Sequence, residues 1–323
     1  MIRRVISRAH SNIALIKYWG KRSGEGNLPA TPSISLGLRE LTTETEIQKQ
    51  TSGKDKIIIN NTAASGESYK NLVRYLDYCR ETGLISGPLR ITSNNNFPTQ
   101  AGLASSASGY AALATALSGF SEKKLSLTKL SHLARKGSGS AARSITGGLS
   151  AFPTGNNPAA RLLLAPEKIP WGMVVVVVDS QSKAISSREG MEHSRLTSPY
   201  YKNWIKQADA DYKSMLKAIN TEDFTAIGEL SEANALAMHC CMIASRPSLI
   251  YWNNTTVDII NSVKGWRKDG LEVYFTIDAG PNVILMGNKE DLAKIAQRAE
   301  RVKGVTTVIP SIPGGQAEIL LRE

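Results

Sequence analysis

Cysteine is scarce in this 323-residue chain: Cys79, Cys240 and Cys241 are its only three. Two of them are adjacent and none has a metal-ligand spacing, which excludes a disulfide scaffold and a zinc site. Reduced thiols in a cytoplasmic protein are expected. The four histidines, His10, His132, His193 and His239, are as widely scattered. Each reads as structural or solvated, and no Ser-His-Asp order can be built from them. The longest apolar run, Met173 to Val178, is far too short to span a bilayer, so no membrane partner is expected. The opening MIRRVISRAHSN lacks the apolar centre of a signal peptide. Aromatic residues make up 6% of the chain and no stacking platform for single strands is visible. There is no repeat, low-complexity tract, long linker or long basic run.

What is present is positive charge, +11 in formal terms, spread along the chain. A basic RNA-binding protein is one reading of that balance. With so few aromatics and no clustered lysines, small anionic metabolites are favoured and no nucleic-acid partner is expected. The length predicts one large or two modest domains. The first half mixes short strands, Ser33–Leu38, Thr42–Gln48 and Lys56–Asn60, with helices. One helix carries Tyr69, Leu72, Val73 and Leu76 at helical spacing, and another ends near Gly137. The second half has long helices from Ser198-Pro199 and from about Asp223 to Ser245. Strands at 272–277 and 282–286 follow, joined by Asp278-Ala279-Gly280-Pro281. A soft boundary falls near residues 180–190.

Four segments concentrate reactive residues between turn formers. PTQAGLASSASG, Pro98 to Gly109, follows a strand-like stretch and opens an alanine-rich helix. Its small residues leave backbone N–H groups free to face a phosphate chain, with the Ser105 and Ser106 hydroxyls beside them for phosphate or metal. No lysine follows a second glycine, so it is not a Walker loop. NIALIKYWGK, Asn12 to Lys21, holds Lys17, Tyr18 and Lys21. It reads either as a strand with its lysines in water or as a set of phosphate-neutralising cations. RKGSGSAARS puts Arg143 early in a helix, as a carboxylate or phosphate clamp or as a surface arginine. YFTIDAGPN delivers Asp278 from a buried strand to a rigid turn, as a positioned base or as a turn aspartate satisfying its own backbone.

In order along the chain, NIALIKYWGK, NLPATPSISL, FPTQAGLASSASG, GSGSAARS, SSREGM and FTIDAGPN run from residue 12 to residue 282. Together they resemble the GHMP kinase superfamily and, within it, the diphosphomevalonate decarboxylase family. The resemblance implies an α+β fold with two lobes, divided here as residues 1–184 and 185–323. The first would be ribosomal-protein-S5-domain-2-like and bind ATP, and the second ferredoxin-like. It implies ATP-dependent decarboxylation of mevalonate 5-diphosphate to isopentenyl diphosphate, with ATP and Mg²⁺ required, by a cytoplasmic homodimer. A sister decarboxylase of mevalonate 5-phosphate and a kinase of the 3-hydroxyl share most of these motifs.

Carried over residue by residue, Asp278 orients or deprotonates the 3-hydroxyl and Arg143 holds the substrate carboxylate. Lys17 lies near Asp278 or the transferring phosphate. Tyr18, Lys21, Ser140, Ser186 and Ser187 bind substrate. Gly102, Leu103, Ala104, Ser105 and Ser106 hold the ATP phosphates, with Ser106 near Mg²⁺. The stretch Ala237 to Pro247 receives no role.

Overall fold

Alternation of apolar and polar residues shapes the first strand, β1 (Arg4–Ile16). Its first half is buried at every second position and its last residues are buried without a break. A strand that starts on a half-wet sheet and ends enclosed on both faces has this pattern. The computed structural model describes residues 2–22, 26–97, 105–122, 124–178 and 185–323. Gly102, Leu103 and Ala104 lie outside the described residues.

In chain order the first lobe continues with β2 (Ser33–Lys49), β3 (Lys56–Ile59), β4 (Thr62–Ala63), α1 (Gly66–Glu81) and β5 (Leu89–Asn95). Then come α2 (Ser105–Ser118), α3 (Leu127–Gly137), α4 (Ala141–Thr146), β6 (Leu149–Phe152) and β7 (Arg161–Leu164). The second lobe is made of β8 (Trp171–Val177), α5 (Ser187–Thr197), α6 (Tyr201–Asn220), α7 (Phe224–Ile243), α8 (Asn254–Lys268), β9 (Val273–Ile277), β10 (Val283–Asn288), α9 (Leu292–Glu300) and β11 (Thr307–Ser311). The last strand, β12 (Glu318–Arg322), pairs antiparallel with β1 and so returns to the first lobe.

The first sheet runs β12-β1-β2-β5-β3-β4, with β6 and β7 continuing from β2. The two strand stretches expected at 33–38 and 42–48 are one strand of 17 residues. It stays paired with β1 through register shifts at His10/Ser11 and Ala14/Ile16, where bulges bend the pair. The alanine-rich α2 lies against this sheet because its small side chains let it sit close: Ala107, Ala111, Ala112, Ala114 and Ala116 are fully buried.

The second sheet runs β11-β8-β10-β9, antiparallel throughout. The apolar run at 173–178 is its β8, buried on both faces. Met173, Val175 and Val177 join Tyr212, Met215 and Ile227 of α6 and α7. Val174 and Val176 join Ile259, Val263 and Ile295 of α8 and α9. Ile13, Leu15, Leu36 and Leu38 of the first sheet belong to the same cluster as Met173 and Val175, so α6 and α7 are held between the lobes by one continuous core. β8 precedes the division drawn at 184/185 yet sits in the second sheet, and β12 lies beyond it yet sits in the first. No described helix is long and apolar enough to cross a membrane.

Close approach of α7 to β9 depends on Gly228, where a Cβ would overlap the Tyr274 ring. Gly228→Ala therefore overpacks this contact and is expected to lower unfolding free energy by about 1–3 kcal/mol, seen as a lower urea midpoint at unchanged slope. An unshifted midpoint would mean that α7 has slack there.

Candidate active site

The end of β1 runs into the seam between the lobes, so the residue after it cannot reach water. Lys17 is 1% exposed. Its ammonium donates to Asp278 Oδ1 at 2.7 Å and to the backbone oxygen of Ala14 at 2.8 Å. Burial pushes its pKa below the ordinary lysine value, opposed by the charge and hydrogen bond of Asp278. The reading of this stretch as a strand with solvated lysines therefore fails at Lys17. The strand enters the core and finds a partner 261 positions away.

Asp278 follows β9 and opens the DAGP turn. Gly280 N–H donates to the Asp278 carbonyl at 2.7 Å, Thr256 Oγ1 donates to Pro281 O at 2.6 Å, and Val178 N–H donates to Asn282 Oδ1 at 2.7 Å. These bonds fix the turn to α8 and to the end of β8. The carboxylate remains about a quarter exposed and faces a cleft of about 730 Å³ between the lobes.

Arg143 enters the same cleft from α4. Its Nε donates to Ser35 Oγ at 2.8 Å and Asn12 Oδ1 at 3.3 Å, and Nη1 donates to Ser33 Oγ at 2.6 Å. Among the described residues no carboxylate pairs with it and Nη2 has no protein partner. Burial lowers its pKa to about 10, with Asp278 and Tyr18 acting in opposition. Neutral hydroxyls thus orient a buried guanidinium and leave one edge of its fork for an incoming anion.

Asn27 organises the neighbouring wall. It holds φ 55, a left-handed conformation that asparagine tolerates. Its side-chain nitrogen donates to the carbonyls of Arg135 and Lys136 at the end of α3. It accepts from Lys21 Nζ at 2.6 Å and, through its backbone oxygen, from Tyr18 OH at 3.0 Å. Burial, and next the charge of Arg188, lower the pKa of Lys21 to about 8. Burial raises that of Tyr18, which remains a donor. Gly139 is required here because a Cβ would overlap the Tyr18 hydroxyl.

Ser105 and Ser106, at the first described turn of α2, line the cleft, as do Ser140, Ser186 and Ser187. Ser140 Oγ makes no cap bond and lies 3.2 Å from Ser138 Oγ. Ser186 is the N-cap of α5 in a capping box: its hydroxyl donates to Glu189 Oε2 at 2.7 Å and accepts from Glu189 N–H at 3.2 Å. Of this pair, Ser187 is therefore the one whose hydroxyl is free of protein partners among the described residues. Sequence reasoning passed over Arg188, which follows it and lines the cleft. The S-x-x-E box at 186–189 was the available signal, since it starts a helix and projects the intervening residues. Asn12 was also missed as the group linking Arg143 to Ser144 Oγ at 2.7 Å.

Lys17, Lys21, Arg143 and Arg188 outnumber Glu67, Glu189 and Asp278 around the cleft, and Glu189 is already engaged. Such a site attracts polyanions. Among the described residues no three His, Cys, Asp or Glu side chains converge to cage a metal. The oxygen donors present, the Ser105 and Ser106 hydroxyls with the Glu67 and Asp278 carboxylates, suit a magnesium ion that arrives on phosphates and takes most of its ligands from them.

Residues 9–162 match the family described as diphosphomevalonate decarboxylase-like N-terminal domain, and residues 173–318 match mevalonate 5-diphosphate decarboxylase C-terminal domain. The diphosphomevalonate decarboxylase of Candida albicans is 34% identical over 88% of this chain and 84% of its own length. The crystal structure of mevalonate diphosphate decarboxylase from Staphylococcus aureus superposes with a TM-score of 0.93 at 36% identity, over 99% of each chain. The structure of MDDEF in complex with MVAPP, AMPPCP and magnesium does so with a TM-score of 0.90 at 35% identity, also over 99% of each chain. Both halves of the chain, its two-lobed α+β architecture and its relatives agree: it belongs to the diphosphomevalonate decarboxylase family, with the GHMP kinase fold.

Proposed function

We propose that this cleft carries out ATP-dependent decarboxylation of mevalonate 5-diphosphate to isopentenyl diphosphate, releasing ADP, phosphate and CO2. The observation that carries the residue roles is the shared cleft of Asp278, paired with buried Lys17, and Arg143, held with no carboxylate of its own. A tertiary alcohol is a poor leaving group and phosphorylation makes it a good one. Asp278 orients the 3-hydroxyl and takes its proton as the oxygen attacks the γ-phosphorus and ADP departs. The C3–O bond then breaks and phosphate leaves. The electron pair of the bond between C2 and the carboxyl carbon becomes the C2=C3 double bond, and CO2 is released. The positive charge that grows at C3 lies near the carboxylate of Asp278.

Arg143 holds the substrate carboxylate with the free edge of its guanidinium. Lys17 fixes Asp278 in place. Lys21, Tyr18, Ser140, Ser187 and Arg188 receive the diphosphate end. Ser105 and Ser106 hold the ATP phosphates together with Gly102, Leu103 and Ala104, and Ser106 would hold Mg²⁺, which neutralises phosphate charge when bound. Side-by-side turnover of the mono- and diphosphates tests the substrate. The diphosphate is expected to be strongly preferred, and equal or better use of the monophosphate overturns the choice.

Lys21 gives a pH signature. It is charged below about pH 8 and loses its proton above. The kcat/KM for the diphosphate is therefore full at neutral pH and falls, by about tenfold, as pH rises through that value. Lys21→Met should flatten this alkaline limb; an identical limb in the variant would assign it to another group.

A cytoplasmic homodimer completes the proposal. Leu196 and Ile250, 64% and 66% exposed, offer apolar surface to a second copy. Sedimentation at micromolar concentration should give the dimer mass, and a monomer mass alone would overturn it.

A further inference from the structure

The stretch around His239 has no part in the reaction described so far, yet its helix touches the backbones of both Lys17 and Asp278. Asn234 on α7 is fully buried, and its Oδ1 accepts from the Lys17 backbone N–H at 2.8 Å. Its Nδ2 donates to Asp211 Oδ2 at 2.8 Å, and Gln207 Nε2 donates to the other oxygen of Asp211 at 2.7 Å. The amide of Asn234 is thus locked from behind by α6.

Little more than a turn farther along α7 is His239, 1% exposed. Its Nε2 lies 3.2 Å from the backbone carbonyl of Asp278 and 3.3 Å from Trp252 Nε1. The two rings are 4.6 Å apart. Protonated at Nε2, the neutral imidazole donates to that carbonyl and leaves the indole as a ring neighbour; this is the tautomer that ties His239 to the Asp278 backbone. Burial, and next the charge of Lys17, hold its pKa at about 3, so the ring adds no charge to the site.

Lys17 and Asp278 come from strands in different sheets. Beside their own ion pair the two strands touch where Thr276 Oγ1 donates to Ala14 O at 3.3 Å. We propose that α7 is a positioning element for the reaction: Asn234 and His239 anchor the backbones of Lys17 and Asp278 to one helix and so set where the aspartate carboxylate stands. The packing of Gly228 on Tyr274 and of Met238 with Trp19 and Ala279 keeps that helix from sliding. Chemistry that depends on a near-attack geometry loses about 10²-fold for a displacement of about 1 Å, so anchors that touch no substrate can still govern turnover. This role rests on the assignment of Asp278 as the group that receives the 3-hydroxyl proton.

The test compares His239→Leu, His239→Gln, Asn234→Ala and Asp278→Asn in the full chain, with kcat and both KM values measured beside thermal melting. His239→Leu keeps bulk but not polarity and should lower kcat by about 30- to 100-fold, with each KM within about threefold of wild type. His239→Gln restores a donor and an acceptor at the ring position and should recover kcat to within about fivefold. Asn234→Ala should show the same kcat-only loss from the lysine side.

Wild-type kcat in His239→Leu, equal losses in the Leu and Gln variants, or a KM that rises with the fall in kcat would overturn the proposal. If His239→Leu fails to fold, Asn234→Ala carries the same expectation, and a wild-type kcat there overturns it. An active Asp278→Asn would remove the assignment on which this role rests. An inactive Asp278→Asn beside a normal His239→Leu would remove the role of α7 alone.

Discussion

Asp278→Asn leaves ATP binding unchanged and lowers kcat by about 10³-fold or more. The amide has the size of the carboxylate and keeps an oxygen for Lys17 Nζ, now 2.7 Å away. It has no charge and cannot take the proton of a tertiary alcohol. Lys17, buried and already below its ordinary pKa, gives up its proton rather than stand as an unpaired charge, so the fold survives the change. Ser105 and Ser106, proposed to hold the nucleotide, start α2 of the first lobe, whereas Asp278 follows β9 of the second. Nucleotide titration should therefore be indistinguishable from wild type. A variant that turns over within about threefold of wild type would exclude Asp278 from the proton transfer, because general-base contributions are at least about 10².

Arg143→Lys is the second large effect, expected to cost about 10²- to 10³-fold in kcat/KM while charge is retained. The guanidinium works as a fork. Nε and Nη1 bond Ser35, Asn12 and Ser33, which orients the plane and points its remaining edge into the cleft. An ammonium at the same site cannot hold those hydroxyls and also meet a carboxylate in two-point geometry. Substrate then binds with its carboxylate out of line with the C3–O bond, and the electron pair released with CO2 has poor overlap with the breaking bond. ATP affinity should not move. Arg143→Ala adds a stability loss, since it leaves Ser33 and Ser35 facing a void, and the lysine variant is the cleaner probe. A kcat/KM unchanged in Arg143→Lys would show that charge alone suffices.

Most of the architecture could be read in advance where one face of an element faces one environment. The run at 173–178 reads as buried because both faces of β8 are covered, and the alanine-rich start of α2 reads as a close-packed helix. The break between the expected strands at 33–38 and 42–48 was misplaced because a bulge in β2 itself, residues 39–41 opposite the consecutive His10 and Ser11, and not a turn, interrupts the pattern. α8 runs through Gly265 to Lys268, as exposed helix tolerates one glycine when the flanking turns hold.

At the site, the motifs located Lys17, Lys21, Arg143 and Asp278 in one cleft before any coordinates. What they could not convey was burial. Lys17 becomes an interior cation only because β1 continues into a seam built by residues more than two hundred positions away. Asn234 and His239 were illegible for the same reason: each acts on a backbone atom of a distant element, and no spacing in α7 announces that.

Carboxyl-labelled mevalonate 5-diphosphate incubated with ATP and Mg²⁺ tests the central claim most directly, by trapping labelled gas and quantifying ADP and phosphate together. Equal amounts of labelled CO2, ADP and phosphate are expected from the wild-type chain and essentially none from Asp278→Asn. ADP formed with the label retained in a stable phosphorylated acid, or label released equally by the variant, would contradict the account.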